Sequence, residues 1–143
     1  MDSPEGFLEP ALNIHFSATQ FFLDRSQWIK FYSWDKDNWI FDKETFWYEN
    51  GQKESEANFK DDKLDGKSTE WYENGQIKLE SNWKEEKLFG KMTYWHENGQ
   101  KESEGNWKDG KKDGKSTGWH ENGQKFIEGN YKDGKLDGKL IEW

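Results

Sequence analysis

Aromatic side chains recur along this chain at a fixed interval. The hexapeptide WYENGQ stands at residues 47–52 and 71–76, and WHENGQ stands at 95–100 and 119–124. A second aromatic lies halfway between successive tryptophans, at Phe59, Trp83, Trp107 and Tyr131. An aromatic therefore falls every 12 residues and the whole pattern returns every 24 residues, an interval that indicates a repeat architecture.

Two turn signals divide each 24-residue block. The first contains Asn-Gly, as at Asn74-Gly75, which predicts a two-residue type I′ hairpin turn because both central residues need a positive φ. The second, KDGKLDGK at 132–139, carries glycines that fit a looser hairpin loop. Two turns and two short segments leave no room for a helix. We therefore predict an all-β fold, an elongated, twisted, single-layer antiparallel β-meander with four hairpin repeats in residues 47–143.

The turn also predicts which residues face each other. A two-residue loop at Asn74-Gly75 pairs Trp71 with Lys78 and Thr69 with Glu80, and paired residues share a face. One face then carries rows of Trp, Glu and Asn at 24-residue spacing. The opposite face carries Ile77, Leu79, Ser81 and Trp83, with small residues two positions before each mid-block aromatic. A three-residue loop would instead move the Trp row to that second face.

Residues 1–46 lack the repeat and are predicted to cap the open edge of the sheet. Their second half indicates a strand, a polar turn over Asp35–Asn38 and another strand. Before it, Ser17 and Gln20 would form the capping box of a helix, while Asp24-Arg25 would suit a turn between two strands. Both interpretations stay open, so this segment is predicted as irregular strands with room for one helix.

Composition modifies this picture in two ways. Only 31% of the 143 residues are hydrophobic and 35% are charged, yet ten Trp, ten Phe and five Tyr predict a thin, aromatic core. The net charge is −8, and acidic residues outnumber basic ones both in 1–46 and in 47–143. That balance argues against nucleic-acid binding and favours a basic protein partner.

Targeting signals and cysteine chemistry are not indicated by the sequence. No cysteine is present, which excludes disulfides and thiolate metal sites. No apolar stretch approaches the roughly 20 residues of a membrane span, and the first residues do not match a signal peptide. We expect a cytoplasmic protein without a membrane span.

The segments EGNWKDGKKDGK (104–115) and EGNYKDGKLDGK (128–139) resemble the MORN repeat. Together with YENGQ they are similar to the bacterial MORN variant of proteins labelled YwqK-family antitoxins. The resemblance covers residues 47–143 and implies an elongated antiparallel sheet that binds proteins, with toxin neutralisation in some bacterial members. Ala57 and Ser81 replace the repeat glycine, while Asp62 and Glu86 replace the glycine of Gly-Lys, which predicts less regular turns in the first two blocks.

Catalytic or metal chemistry is not predicted. His96 and His120 occupy the slot that Tyr48 and Tyr72 fill in other blocks, so the slot needs an amphipathic ring rather than a metal ligand. The repeated glutamates do not suit an acid–base pair, because an active site is usually unique and asymmetric. The segment DGKST lacks the upstream glycine spacing of a phosphate-binding loop. We expect no enzyme activity, no cofactor and no metal.

The Trp and Glu rows are the candidate partner-binding residues. They are Trp47, Trp71, Trp95, Trp119, Glu56, Glu80, Glu104 and Glu128. Each Trp either packs on the stems of cross-strand side chains or belongs to an exposed contact stripe, which would also suit a homodimer. The predicted function is an antitoxin- or immunity-type inhibitor that docks a basic toxin or effector on its aromatic and acidic sheet face. The alternatives are a carbohydrate- or cell-wall-binding aromatic repeat protein, or a MORN scaffold.

Overall fold

The structure, a computed structural model, describes residues 18–23, 27–35 and 38–143. Within these ranges every regular element is a β-strand. The strands are β1 (Ala18–Leu23), β2 (Gln27–Asp35), β3 (Asn38–Trp47), β4 (Lys53–Lys60), β5 (Lys63–Trp71), β6 (Ile77–Lys84), β7 (Lys87–Leu88), β8 (Gly90–Trp95), β9 (Lys101–Lys108), β10 (Lys111–Trp119), β11 (Lys125–Lys132) and β12 (Lys135–Glu142).

These strands form one antiparallel sheet in which neighbours in space follow the order of the chain. The two-residue strand β7 pairs with β6, and β8 continues the sheet from β6 to β9. The predicted all-β, single-layer meander of hairpin repeats is therefore confirmed.

The N-terminal segment joins the same sheet through β1 and β2. These strands occupy described parts of the stretch for which a helix and two strands were both open, and Asp35 pairs with Asn38 where the polar turn was predicted. The expectations for Ser17 and for the Asp24-Arg25 turn lie outside the described residues. The division of the chain at residues 46 and 47 stays a prediction, and it falls at the end of β3.

The turns at the four Asn-Gly pairs, here called the corners, differ from the predicted turn type. At the second corner, the backbone N–H of Gly75 donates to the Tyr72 carbonyl at 2.9 Å, and the N–H of Tyr72 donates to the Gln76 carbonyl at 2.8 Å. Gly75 has a φ of 83°, whereas Asn74 is not among the described residues with positive φ. This is a three-residue loop, a type I turn closed by a left-handed glycine. The predicted two-residue type I′ turn is wrong.

The extra loop residue shifts the register by a bulge at the corner only. Thr69 pairs with Glu80, as predicted, but Trp71 pairs with Ile77 instead of Lys78. The bulge lies between Glu70 and Trp71. Beyond it the predicted face assignment holds, so the Trp row does not change sides. Ile77 is the exception, because the bulge places it opposite Trp71.

The tight two-residue turns lie instead at the second signal of each block. Both central residues have positive φ there, for example 50° at Asp109 and 79° at Gly110. Asp62 and Glu86 take the glycine position in the first two blocks and still adopt φ values of 60° and 66°. The prediction of less regular turns in those blocks is therefore wrong for the turn residues. A left-handed conformation costs a residue with a Cβ more than it costs glycine.

The two faces of the sheet have distinct compositions. The face with Trp47, Trp71, Trp95 and Trp119, here called the tryptophan face, also carries a cross-strand row in which Thr and Glu alternate. The other face, here called the small-residue face, carries a row in which Ala57, Ser81, Gly105 and Gly129 lie on successive repeats.

The buried side chains of this sheet are small and polar. Among the described side chains no hydrophobic one is buried, and the fully buried side chain is that of Thr45, which is 1% exposed. Thr69, Thr93, Thr117 and Ser81 are also buried. Thr69 lies between Glu56 on β4 and Glu80 on β6, so its row forms the centre line of the tryptophan face. The aromatic rings flank this line and stay half-exposed.

Candidate functional site

The four candidate tryptophans lie in one row on the tryptophan face, as predicted. Each stands at the end of a strand next to an Asn-Gly corner, and each is half-buried. The next residue in the same series, Trp143, is 65% exposed. The row therefore presents part of every indole to solvent and buries the rest against the sheet.

Lysine side chains lie over the rings of Trp71, Trp119 and Trp143. The ammonium of Lys53 lies 5.5 Å from the centre of the Trp71 ring, and that of Lys101 lies 5.7 Å from the Trp119 ring. Lys125 makes the same cation–π contact with Trp143 at 5.8 Å. The second repeat has Ile77 at the corresponding position. The Trp row is thus a mixed aromatic and cationic surface, and it is most apolar near the second repeat.

The four candidate glutamates are paired with lysines. Glu104 accepts from Lys101 at 2.6 Å and lies 3.2 Å from Lys91. Glu56 and Glu128 are each held by two lysines in the same way, whereas Glu80 pairs with Lys67. Seven lysines therefore face four glutamates in these columns, and the Glu row does not make this sheet face acidic.

The ion pairs change the acidity of these carboxyl groups. Hydrogen bonds from Lys115 and Lys125 hold the pKa of Glu128 at about 2, well below its ordinary value of 4.5. Lys101 lowers the pKa of Glu104 in the same way, partial burial opposing it. At Glu56 partial burial disfavours the charged form, but hydrogen bonds from Lys53 and Lys43 outweigh it and lower the pKa. These carboxylates stay ionised far below neutral pH.

The lysine columns were missed in the sequence, although the signal was present. Lys53, Lys101 and Lys125 recur three residues before a candidate glutamate. A second column stands two residues before each buried threonine, at Lys43, Lys67, Lys91 and Lys115. Register was needed to show that both columns meet the glutamates on one face.

Negative charge that is not part of these columns lies at the corners. Glu49, Glu73, Glu97 and Glu121 precede the four Asn-Gly pairs, and all four are exposed. They form a column along the side of the sheet where the corners lie, here called the corner edge. Successive members are about two strand spacings apart, roughly 10 Å. Among the described residues, unpaired acidic charge is therefore more exposed at the corners than in the Glu row of the sheet.

The corners are also tied to one another. The Tyr48 hydroxyl donates to the Trp71 carbonyl and the Tyr72 hydroxyl to the Trp95 carbonyl, both at 2.7 Å. His96 makes the equivalent contact, with Nε2 at 3.0 Å from the Trp119 carbonyl. Burial, followed by nearby glutamates, raises the pKa of Tyr48. The histidine therefore fills the structural slot that the sequence assigned to an amphipathic ring.

Metal binding and membrane crossing find no support among the described residues. No group of three or more His, Cys, Asp or Glu side chains in the described chain could hold a metal ion. Across the same residues, no helix has the length and apolar character that a membrane crossing requires.

Taken together, the open sheet, the 24-residue period and the stacked corners define a β-hairpin repeat protein. The family described as MORN repeat variant matches residues 43–61, 64–85, 90–109 and 112–133, more than half of the chain. The chain belongs to this MORN repeat family, whose repeats are generally protein- or membrane-binding modules. No curated protein matches the chain.

The family repeat has a different phase from the 24-residue blocks cut at the tryptophans. Its second match, 64–85, spans β5, the Asn-Gly corner and β6. The unit is thus a hairpin around one corner, and the corner contacts join each unit to the next.

Proposed function

We propose that this chain is a non-enzymatic protein-binding module. The observation that carries the proposal is the single-layer sheet without a buried apolar side chain among the described residues. Aromatic and aliphatic groups are half-exposed on both faces, and no second layer in the described chain covers either one. Contiguous apolar surface of this kind usually marks an interaction site.

A narrower form of the proposal is an antitoxin- or immunity-type inhibitor of a basic protein. The net charge of −8 and the exposed corner glutamates support it, because an acidic edge accelerates association with a basic partner. The partner would meet that edge and the adjoining end of the Trp row, since both lie at the Asn-Gly corners.

Two substitutions that copy residues from the other repeats test which face of the sheet binds the partner. Leu79→Ser on the small-residue face copies Ser55 and Ser103, and Ile77→Lys on the tryptophan face copies the lysine of the other blocks. Neither introduces a side chain foreign to the repeat. Binding to a captured partner is measured for both variants by calorimetry. A loss of about ten-fold in one variant alone identifies the docking face, and unchanged affinity in both contradicts docking at the second repeat.

The inhibitor role needs a separate measurement. The association rate should fall steeply between low and high salt, and Glu73→Gln with Glu97→Gln should reduce the salt dependence. The partner's own activity should fall when the chain binds. A partner that binds without losing activity contradicts the inhibitor role but leaves the binding module intact.

A membrane scaffold is the second candidate, and one observation favours it. Seven lysines of the tryptophan face pair with its four glutamates, although the whole chain is acidic. Cosedimentation with anionic vesicles, compared with neutral vesicles, tests this function. Equal recovery from both would contradict it.

A further inference from the structure

The four Asn-Gly corners share the Glu-Asn-Gly-Gln sequence, but the hydrogen bond that the asparagine Nδ2 donates is different at the fourth corner. Each corner reads Glu-Asn-Gly-Gln, and each asparagine is exposed. In three corners the Asn Nδ2 donates to the carbonyl of the glutamate in the next corner. These bonds are Asn50 to Glu73 at 2.8 Å, Asn74 to Glu97 at 3.1 Å and Asn98 to Glu121 at 2.8 Å.

Asn122 makes a different contact. Its Nδ2 donates to Gln124 Oε1 at 3.3 Å, a longer bond to a flexible side chain of its own corner. The contacts that form the turn itself are the same in all four corners. The Asn Oδ1 accepts from the glutamine N–H two residues later in all four, at 2.9 or 3.0 Å. The glycine N–H donates to the Tyr or His carbonyl in all four as well.

We propose that, in the chain of residues 1–143, Asn122 is the preferred site of spontaneous deamidation, and that the inter-repeat hydrogen bond protects the other three asparagines. In the reaction the backbone nitrogen of Gly123 attacks Cγ of Asn122 and loses its proton. Nδ2 leaves as ammonia, and a succinimide ring forms. Water then opens the ring to aspartate or isoaspartate, so a neutral amide becomes a carboxylate without any redox step.

The reason for protection is geometric. Succinimide formation requires a rotation of the side-chain amide toward the glycine nitrogen and the departure of Nδ2, so the hydrogen bond that Nδ2 donates must break. At Asn50, Asn74 and Asn98 this rotation breaks a bond to a backbone carbonyl of the neighbouring repeat, which the sheet holds in place. At Asn122 it breaks a bond to a side chain that can follow the motion. The glycine has no side chain to hinder the attack at any corner.

The change in charge also falls at a defined place. Aspartate at position 122 would stand beside Glu121, at the end of the acidic corner column. Isoaspartate would in addition lengthen the backbone of the corner. Modification would therefore alter the fourth corner first, while the first three corners keep their amides.

Identical local sequences make the experiment sharp. The 143-residue chain is incubated at mildly alkaline pH, and each corner is followed by peptide mapping and by enzymatic methylation of isoaspartate. We expect Asn122 to react roughly five-fold faster than each other corner, the factor equivalent to one hydrogen bond of about 1 kcal/mol. In strong denaturant the four rates should become equal. Equal rates in the folded chain overturn the proposal.

Two variants control for the position of the corner. Asn122→Gln should abolish the fast reaction and leave the three slow ones unchanged. A chain extended after Trp143 by a second copy of residues 120–143 supplies a following corner to Asn122. Its rate should then fall to that of the protected corners, with the fast reaction moving to the new last corner. If Asn122 stays fast in a folded extended chain, the inter-repeat bond is not the protecting element.

Discussion

The fold should become more stable when Gly105 is replaced by serine, the residue at the same position of the preceding repeat. In the preceding repeat the same position is Ser81, whose hydroxyl accepts from Trp83 Nε1 at 2.9 Å. A Cβ built on Gly105 would lie 3.9 Å from Trp107 Nε1, and its nearest neighbour would be Ser116 Oγ at 3.4 Å. The side chain therefore fits in ordinary contact, and Gly105→Ser would give the Trp107 indole a nearby acceptor.

The expected gain has two parts. Replacing glycine at a compatible position removes conformational freedom from the unfolded chain and stabilises by about 0.4–1 kcal/mol. The hydrogen bond from Trp107 adds about 0.5 kcal/mol, the lower end of the usual range because this indole is half-exposed. Together they give about 1 kcal/mol and a rise in Tm of roughly 3–5 °C.

Equilibrium unfolding in urea, followed by tryptophan fluorescence and circular dichroism, measures this gain. Gly105→Ala adds the Cβ without the hydroxyl and should recover about half of it. Gly105→Ser in a Trp107→Phe background lacks the indole donor and should gain no more than the alanine variant. A serine variant no more stable than the alanine variant would refute the hydrogen bond. A destabilised serine variant would refute the packing on the small-residue face.

Three further predictions concern the turns, the ion pairs and a packing exchange. Glu86 has a φ of 66° where Gly110 stands in the next repeat, so Glu86→Gly should stabilise by up to about 1 kcal/mol in urea unfolding. Because the folded pKa of Glu128 is about 2, below its ordinary 4.5, its ion pairs stabilise the fold above pH 4.5. That contribution is lost as the pH falls toward 2, and Glu128→Gln should flatten this part of the stability profile. A Cβ on Gly118 would lie 2.8 Å from the Phe126 ring and 2.9 Å from Ile127 Cγ2, so Gly118→Ala should destabilise by about 1–3 kcal/mol, and Phe126→Ala in the same chain should remove only the part of that penalty caused by the ring.

Much of the fold could be predicted from the sequence because each local signal, weak by itself, recurs in every repeat. One Trp or one Asn-Gly says little, but nine aromatics at 12-residue spacing and four identical corners indicate a meander of short strands. The Thr69–Glu80 pair and the sharing of one face by the Trp and Glu rows follow from the same spacing. Both are present in the structure.

The turn types were not accessible in the same way. Asn-Gly favours a type I′ turn in an isolated hairpin. Here the Asn74 side chain accepts from the Gln76 N–H and donates to the Glu97 carbonyl of the next corner. The Asn122 corner forms the same three-residue loop without a bond to a following corner, so the contact common to all four corners is the one from the Gln N–H to the Asn Oδ1. The general preference of Asn-Gly for a type I′ turn does not take this side-chain contact into account.

The character of the candidate site was also only partly visible. The Trp row could be placed on one face, but the charge of that face could not be judged from the glutamates alone. Lys91 reaches Glu104 from the adjacent strand, 13 residues earlier in the chain. Cross-strand pairs of this kind neutralise the Glu row. The exposed acidic charge lies instead at the corner edge.

The register of the Thr–Glu row tests the account most directly, because every face assignment and every corner contact depends on it. Nuclear Overhauser contacts across the strands would measure it in solution. We predict that Thr69 contacts both Glu56 and Glu80, and that Trp71 lies opposite Ile77. Contacts that place Trp71 opposite Lys78, or Thr69 opposite residues other than these glutamates, would contradict the arrangement of the sheet described here.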